Sequence, residues 1–306
     1  MAAMTTSGVK LHFGPLKKEK PFLTFHGSIS EADLAFYDGY DPDFIAKKVV
    51  TLSTILNHPA AFAEATKAWA EPLDTTEDTY LGAIAAEIHC AAIHQSEGLL
   101  SLLLAAFQPR PHWVYLSSYG NPEMKNAAKL ITDGEFGLLT GGEVKTLDEF
   151  VRLSVYAGFS PQEEMPDFKS SIDDIGWLVR HVAELYAGAA EYVAYKHGLR
   201  VIFGSAVMGV KMKDSEQYMP VISMKQSLTF LQLSEVDSGY TAQRVTKEIR
   251  PDYSAGLVGL MAIVLSITRD MRIARIKQSL ESVPGLRVDR EKLLRMKPAA
   301  RFSSPY

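Results

Sequence analysis

A row of polar side chains runs along an otherwise apolar helical segment at residues 75–108. Glu87, Cys90, His94 and Glu97 recur every three or four residues, so at about 100° per residue they share one helix face. We call this row the polar seam. The rest of the segment is apolar nearly all round, which is typical of a buried central helix. Because unpaired burial of ionisable groups is costly, the spacing predicts a buried, mutually paired His94 and Glu97.

Three kinds of chemistry fit the polar seam. A structural hydrogen-bond network is the leading prediction, and an acid–base couple with a histidine of perturbed pKa is the second. Cys90 lies one turn from His94, so a thiolate nucleophile activated by imidazole is the third, although a buried cysteine is more often inert. The candidate catalytic residues are therefore His94, Glu97 and Cys90.

A second helical segment, 171–197, repeats the spacing of the polar seam. His181 and Glu184 form the same His-x-x-Glu pair, and Glu191 lies seven residues beyond Glu184. If the two faces met, the ligands would suit a divalent transition metal in a helical bundle. The candidate metal ligands are Glu87, His94, Glu97, His181, Glu184 and Glu191. Ferritin-like di-metal carboxylate proteins use the reverse order, Glu-x-x-His, and the chain is not assigned to that family.

The competing interpretation of segment 171–197 is a solvated face. Its apolar positions fall on the opposite side of the helix, which leaves His181, Glu184 and Glu191 facing water. A His-x-x-Glu pair is also a short pattern that serves as a helical ion pair. This interpretation is preferred to a shared metal site.

Helical periodicity dominates the elements that position these residues. Predicted helices lie near 42–56, 59–70, 75–108, 122–132, 147–157 and 171–197. Capping-box spacings at Thr75/Asp78, Thr146/Glu149 and Ser171/Asp174 mark three of their starts.

After Gly198 the pattern changes to β-rich runs separated by turn residues. Predicted strands cover 199–203, 221–224, 227–233 and 241–249, and they favour an antiparallel meander. A long helix over 252–280 and a short basic helix or tail follow. The fold class is therefore α+β and mainly helical. The predicted parts are an extended arm (1–30), a helical bundle (31–198) and a meander with the C-terminal helix and basic tail (199–306), which can share one domain with the bundle.

Composition narrows the function classes. A single cysteine and the absence of a secretory signal pattern predict a cytoplasmic protein, and the longest strongly apolar run, Ala255–Ile267, is too short to span a bilayer. Residues 31–100 are acidic and 269–301 basic, yet the chain carries a net charge of −4 and no nucleic-acid-binding module, which disfavours nucleic acid as a partner.

Two function classes remain open. The first is a binding or regulatory protein with an unidentified protein or small-molecule partner. The alternative is a metal-dependent or acid–base enzyme that uses the His/Glu residues of the bundle. The sequence names no substrate and no cofactor beyond that divalent metal.

Overall fold

The computed structural model describes residues 29–67, 78–108, 111–117, 119–159, 166–196, 201–211, 218–236, 239–279 and 283–305. Within these ranges the chain is mainly helical, with a four-stranded antiparallel sheet and a long helix near the C-terminus. The predicted α+β class is confirmed. The predicted arm 1–30 lies almost entirely outside the described residues.

Helices account for most of the described chain. They are α1 (Ile29–Gly39), α2 (Phe44–Asn57), α3 (Pro59–Thr66), α4 (Asp78–Ala105), α5 (His112–Leu116), α6 (Asn121–Asp133), α7 (Phe136–Leu139), α8 (Leu147–Ser154), α9 (Pro166–Ala187), α10 (Ala190–Lys196), α11 (Pro251–Lys277) and α12 (Arg290–Met296). The strands are β1 (Val201–Lys211), β2 (Tyr218–Val236), β3 (Gly239–Glu248) and β4 (Arg301–Pro305). None of these helices combines the length and the apolar character that a membrane crossing requires.

The chain forms two compact units, each built from three separate stretches. The first unit contains residues up to 44, 94–188 and 260–288, and the second contains 45–93, 189–259 and 289–306. The division predicted from the sequence at residue 198 stays a prediction.

The sheet belongs to the second unit, in the order β1-β2-β3-β4 with every neighbour antiparallel. One face of the sheet packs on the first turns of α4 and on α10, through buried side chains that include Ala85, Leu228, Phe230 and Val245. The approach of α4 to the sheet is close, because a Cβ added at Gly82 would lie 3.0 Å from the backbone nitrogen of Gly204.

Two predicted strands, 221–224 and 227–233, are parts of the single strand β2. Residues 225 and 226 continue the extended chain and together face the single residue Ser205, because the pairing passes from Gly204 with Ser227 to Ala206 with Met224. The extra residue is a β-bulge on β2, which bends the strand without ending it.

The first unit has an aromatic core. The ring of Phe150 on α8 lies 5.3 Å from that of Phe107 and 5.5 Å from that of Phe136, measured between centroids. The predicted capping box at the start of α8 is confirmed, since Thr146 and Glu149 each accept a backbone N–H of the other.

The predicted helix 171–197 is wrong in its start, since α9 begins at Pro166, and in its continuity. It is two helices, α9 and α10, and the chain leaves α9 at Gly188, a residue with low helix propensity. Ser171 and Asp174 lie inside α9 rather than at its start. Their side chains accept the backbone N–H groups of Leu286 and Val288, so they make tertiary contacts instead of a cap.

Candidate functional site

The polar seam of α4 is only partly buried. Cys90 and Glu97 are buried and Glu87 is half-buried, but His94 is exposed. The prediction that His94 and Glu97 are buried together is therefore wrong for the histidine. On a helix that is apolar nearly all round, the spacing of polar residues does not identify which of them face the core.

The second predicted segment also departs from expectation. His181 on α9 is buried, and its ring stacks on Trp177 with centroids 4.9 Å apart and planes 7° apart. Glu184 is exposed, and Glu191 lies on α10 and is 2% exposed. The solvated-face prediction is thus correct only for Glu184.

The six candidate metal ligands do not form one group. Glu87 and Glu191 belong to the second unit, whereas His94, Glu97, His181 and Glu184 belong to the first. Across the described residues, no three or more His, Cys, Asp and Glu side chains are placed to hold a metal ion.

The second unit instead contains a buried histidine network that the sequence analysis missed. His89 on α4 has its Nδ1 3.4 Å from the hydroxyl of Ser254 on α11 and its Nε2 3.4 Å from Oε1 of Glu191. Lys247 on β3 donates to Oε2 of the same carboxylate at 2.6 Å. We call these four residues the His89 network.

The hydrogen-bond and ion-pair partners of Glu191 keep its carboxylate ionised. Burial alone would raise the pKa of this carboxyl, but the hydrogen bond from His89 and the Lys247 ammonium outweigh burial and lower the pKa to about 2. The Lys247 ammonium also lies 5.9 Å from the centroid of the Phe230 ring. The network therefore contains an ion pair, buried at Glu191 and partly exposed at Lys247, that links α10 to β3.

A hydroxyl, an imidazole and a carboxylate in series can activate a serine nucleophile. In the His89 network, however, Ser254 is 1% exposed and Glu191 is 2% exposed. Neither residue lines the cavity that lies between α2 and α11. The arrangement fits a structural network that joins α4, α10, β3 and α11 within the second unit.

A neighbouring cluster surrounds Glu87. Its carboxylate accepts hydrogen bonds from the Tyr195 hydroxyl and, at 3.0 Å, from the Lys48 ammonium. Burial and the nearby carboxylates of Glu191 and Glu87 raise the pKa of the Cys90 thiol far above its usual range. Cys90 is thus a neutral thiol at physiological pH, which agrees with the inert alternative rather than with a thiolate nucleophile.

The first unit has a histidine cluster of its own. The backbone N–H of His112 on α5 donates to Asp33 on α1 at 2.7 Å, and the Tyr37 hydroxyl lies 2.5 Å from its Nδ1. Burial and the Arg272 charge lower the pKa of His112 to about 3. The imidazole is therefore neutral at physiological pH, and its Nδ1 shares a hydrogen bond with the Tyr37 hydroxyl. We call this the His112 cluster.

Several basic side chains of α11 have partners within the first unit. Arg272 donates to the carbonyls of Leu153 and Ser154 at 2.8 and 3.0 Å, and Lys277 lies 3.6 Å from Asp38. These contacts give part of the basic segment partners within its own unit. The absence of nucleic-acid binding stays a prediction.

One cavity of about 290 Å³ lies in the second unit, between α2 and the first half of α11. Small and β-branched residues form its apolar wall: Ala46, Val49, Val50, Ala255, Val258 and Gly259. Polar residues close it at the C-terminal end of α2: Ser53, Thr54, Asn57 and His58. We call this cavity the α2–α11 groove. Val50 is 66% exposed, which is unusual for an aliphatic side chain that lines a cavity.

Comparison of the chain with protein families, with curated proteins and with solved structures finds no match.

Proposed function

We propose that this protein is a binding protein, and that its partner is another protein that places an apolar side chain in the α2–α11 groove. The observation that carries this proposal is the groove itself, which combines an open apolar wall with polar groups at one end. Such a surface is typical of sites that accept the apolar face of a partner helix.

The size of the groove favours a side chain over a whole ligand. Its volume of about 290 Å³ is at the lower limit of small-molecule sites, which span roughly 300–1,000 Å³. One or two anchoring side chains of a protein fit this space. Asn57 and His58 then offer hydrogen bonds to polar groups that flank the anchor.

The enzyme alternative has less support. It requires an ionisable group within reach of a substrate, and the buried Ser254 and Glu191 of the His89 network do not line the α2–α11 groove. A binding function requires only the surface that the groove provides.

The test uses the full chain and two probes that mimic anchoring side chains, indole and isobutanol. With methyl-labelled valine and leucine, we expect the NMR signals of Val49 and Val258 to shift saturably with either probe, and those of Val193 on α10 to stay constant. Val193 is the matched control because it is a partly exposed valine outside the groove.

A blocking variant makes this test specific. A Cβ added at Gly259 meets no atom within 4 Å, so a side chain at this position starts in open space, and Gly259→Leu is chosen to fill the groove. We expect Gly259→Leu to abolish the saturable shifts and Gly259→Ala to retain them. Equal shifts in both variants, or none in the wild-type chain, would overturn the proposal.

A further inference from the structure

The outer strand of the sheet, β1, is paired on one side only. Its hydrogen-bonded neighbour is β2, and no other described segment makes a backbone hydrogen bond to it. The second edge of an eleven-residue strand therefore presents N–H and C=O groups that only another extended strand can satisfy in order.

The two edges of the sheet differ in how well they are protected against pairing with a further strand. The β4 edge is five residues long and carries Arg301 and Pro305, both of which oppose further pairing. The β1 edge has no proline and no charged residue from Val201 to Val210. Edge strands that are not meant to pair are usually shortened or charged, so β1 lacks the protection that β4 has.

Two exposed side chains of β1 are large and apolar. Ile202 is 69% exposed and Val207 is 64% exposed, and both lie on the sheet face opposite to the core. The register of β1 with β2 shifts between Gly204 and Ala206, so an even and an odd position of β1 share one face. On the neighbouring strand Val221 is also exposed, at 60%.

We propose that the β1 edge is the interface for a second copy of this chain, which pairs antiparallel to it, β1 to β1, about a twofold axis. One register places Ile202 opposite Val207 of the second copy on the outer face. The same register places Phe203 opposite Ala206 on the core face. Exposed side chains then meet exposed ones on the outer face, and core-facing side chains meet core-facing ones on the other.

Self-complementarity selects a second copy over an unrelated strand. An isologous contact brings two identical surfaces together. Because residues Val201 to Val210 carry no charge, two copies of this stretch can pair without like-charge repulsion. Lys211 of each copy lies at opposite ends of such a pair. Because the β4 edge is protected, pairing ends at a dimer with one eight-stranded sheet. This interface is separate from the α2–α11 groove and does not depend on the function proposed for it.

Sedimentation of the full chain at micromolar concentration tests the proposal. We expect the wild-type chain to be a dimer and Val207→Lys to be a monomer with unchanged circular dichroism. Val221→Lys is the matched control, since it puts the same charge on the same face but on the inner strand β2, and we expect it to remain dimeric.

The control also separates edge pairing from stacking of sheet faces. Loss of the dimer in both lysine variants would show face stacking and overturn the proposal. A monomeric wild-type chain would overturn it as well.

Cysteine cross-linking locates the twofold axis. The chain has one cysteine, Cys90, and it is buried, so an introduced surface thiol reacts alone. In the proposed register Ser205 of the two copies lie beside the axis. We expect Ser205→Cys to form an intermolecular disulfide on mild oxidation and Ser223→Cys, on β2, to remain unlinked. Equal linking of both variants, or of neither, would contradict the β1 to β1 pairing.

Discussion

Both units bury a histidine next to a carboxylate, His89 with Glu191 in the second unit and His112 with Asp33 in the first. The two carboxylates behave in opposite ways. The pKa of Glu191 falls to about 2, whereas burial raises the pKa of Asp33 despite the His112 backbone N–H and the Arg272 charge. Two similar pairs of residues therefore have different electrostatics.

The difference lies in the third partner. Lys247 places its ammonium 2.6 Å from Glu191 and forms an ion pair. Arg272 directs its guanidinium to the carbonyls of Leu153 and Ser154 instead of to Asp33. A buried carboxylate stays charged when a cation contacts it directly, and burial dominates when the cation is engaged elsewhere.

Breaking the ion pair of the second unit has the largest expected effect. Glu191→Gln removes the carboxylate charge that the Lys247 ammonium contacts, and the Lys247 side chain is 19% exposed. We therefore expect a loss of about 3 kcal/mol, the low end of the roughly 3–5 kcal/mol for a fully buried pair. Glu184→Gln is the matched control, because Glu184 is exposed, and we expect a change within about 0.5 kcal/mol. Urea unfolding monitored by circular dichroism measures both. Equal effects of the two substitutions would show that the contact of Glu191 with Lys247 does not stabilise the fold.

The next largest effect is the pH dependence of the free energy of unfolding, which differs between His112 and the His89 network. The pKa of His112 is about 3 in the folded chain and 6.5 for an unperturbed histidine, so below pH 6.5 the unfolded chain binds a proton that the folded chain does not. Stability is therefore lost as the pH falls from 6.5 towards 3, by about 2 kcal/mol at pH 5. The stabilisation that ionised Glu191 provides is lost at lower pH, between 4.5 and about 2, because its pKa is lowered over that range in the folded chain.

The variant His112→Asn is expected to flatten the stability profile between pH 6.5 and 5, because its side chain does not titrate. His94→Asn, which changes an exposed histidine, should keep the wild-type slope. Asp33 has the opposite sign, because its raised pKa lets the folded chain keep a proton that the unfolded chain loses above pH 3.8. The difference between the wild-type chain and His112→Asn in thermal melts from pH 5 to 7 therefore measures the contribution of His112, since Asp33 is present in both. A slope that survives His112→Asn would contradict this assignment.

The smallest expected changes in the free energy of unfolding come from substituting two glycines of α4. Gly98, in the first unit, has no atom within 4 Å of an added Cβ, so Gly98→Ala should stabilise the chain by about 0.5–1 kcal/mol through helix propensity. At Gly82, in the second unit, the added Cβ would meet the Gly204 backbone at 3.0 Å. We expect Gly82→Ala to lose that gain and to be neutral or destabilising. Chemical unfolding of both variants checks the sign, and stabilisation by Gly82→Ala would refute the close approach of α4 to β1.

The sequence alone predicts the elements whose signals are local. The core of α4, the capping box of Thr146 and Glu149, and the β-rich runs after residue 198 follow from patterns that repeat within a few residues. It does not predict α1 or β4 as elements. The backbone of β4 pairs with residues of β3 that lie more than fifty positions earlier in the chain.

The sequence by itself also determined that α4 would carry buried ionisable groups, because a helix that is apolar nearly all round has little surface to give to water. Only the tertiary structure decided which groups these are. His89 is selected over His94 by Glu191, 102 residues away, and by Ser254, 165 residues away. Helical periodicity sets which side chains of one segment share a face, but the direction of that face depends on elements that the rest of the chain brings to it.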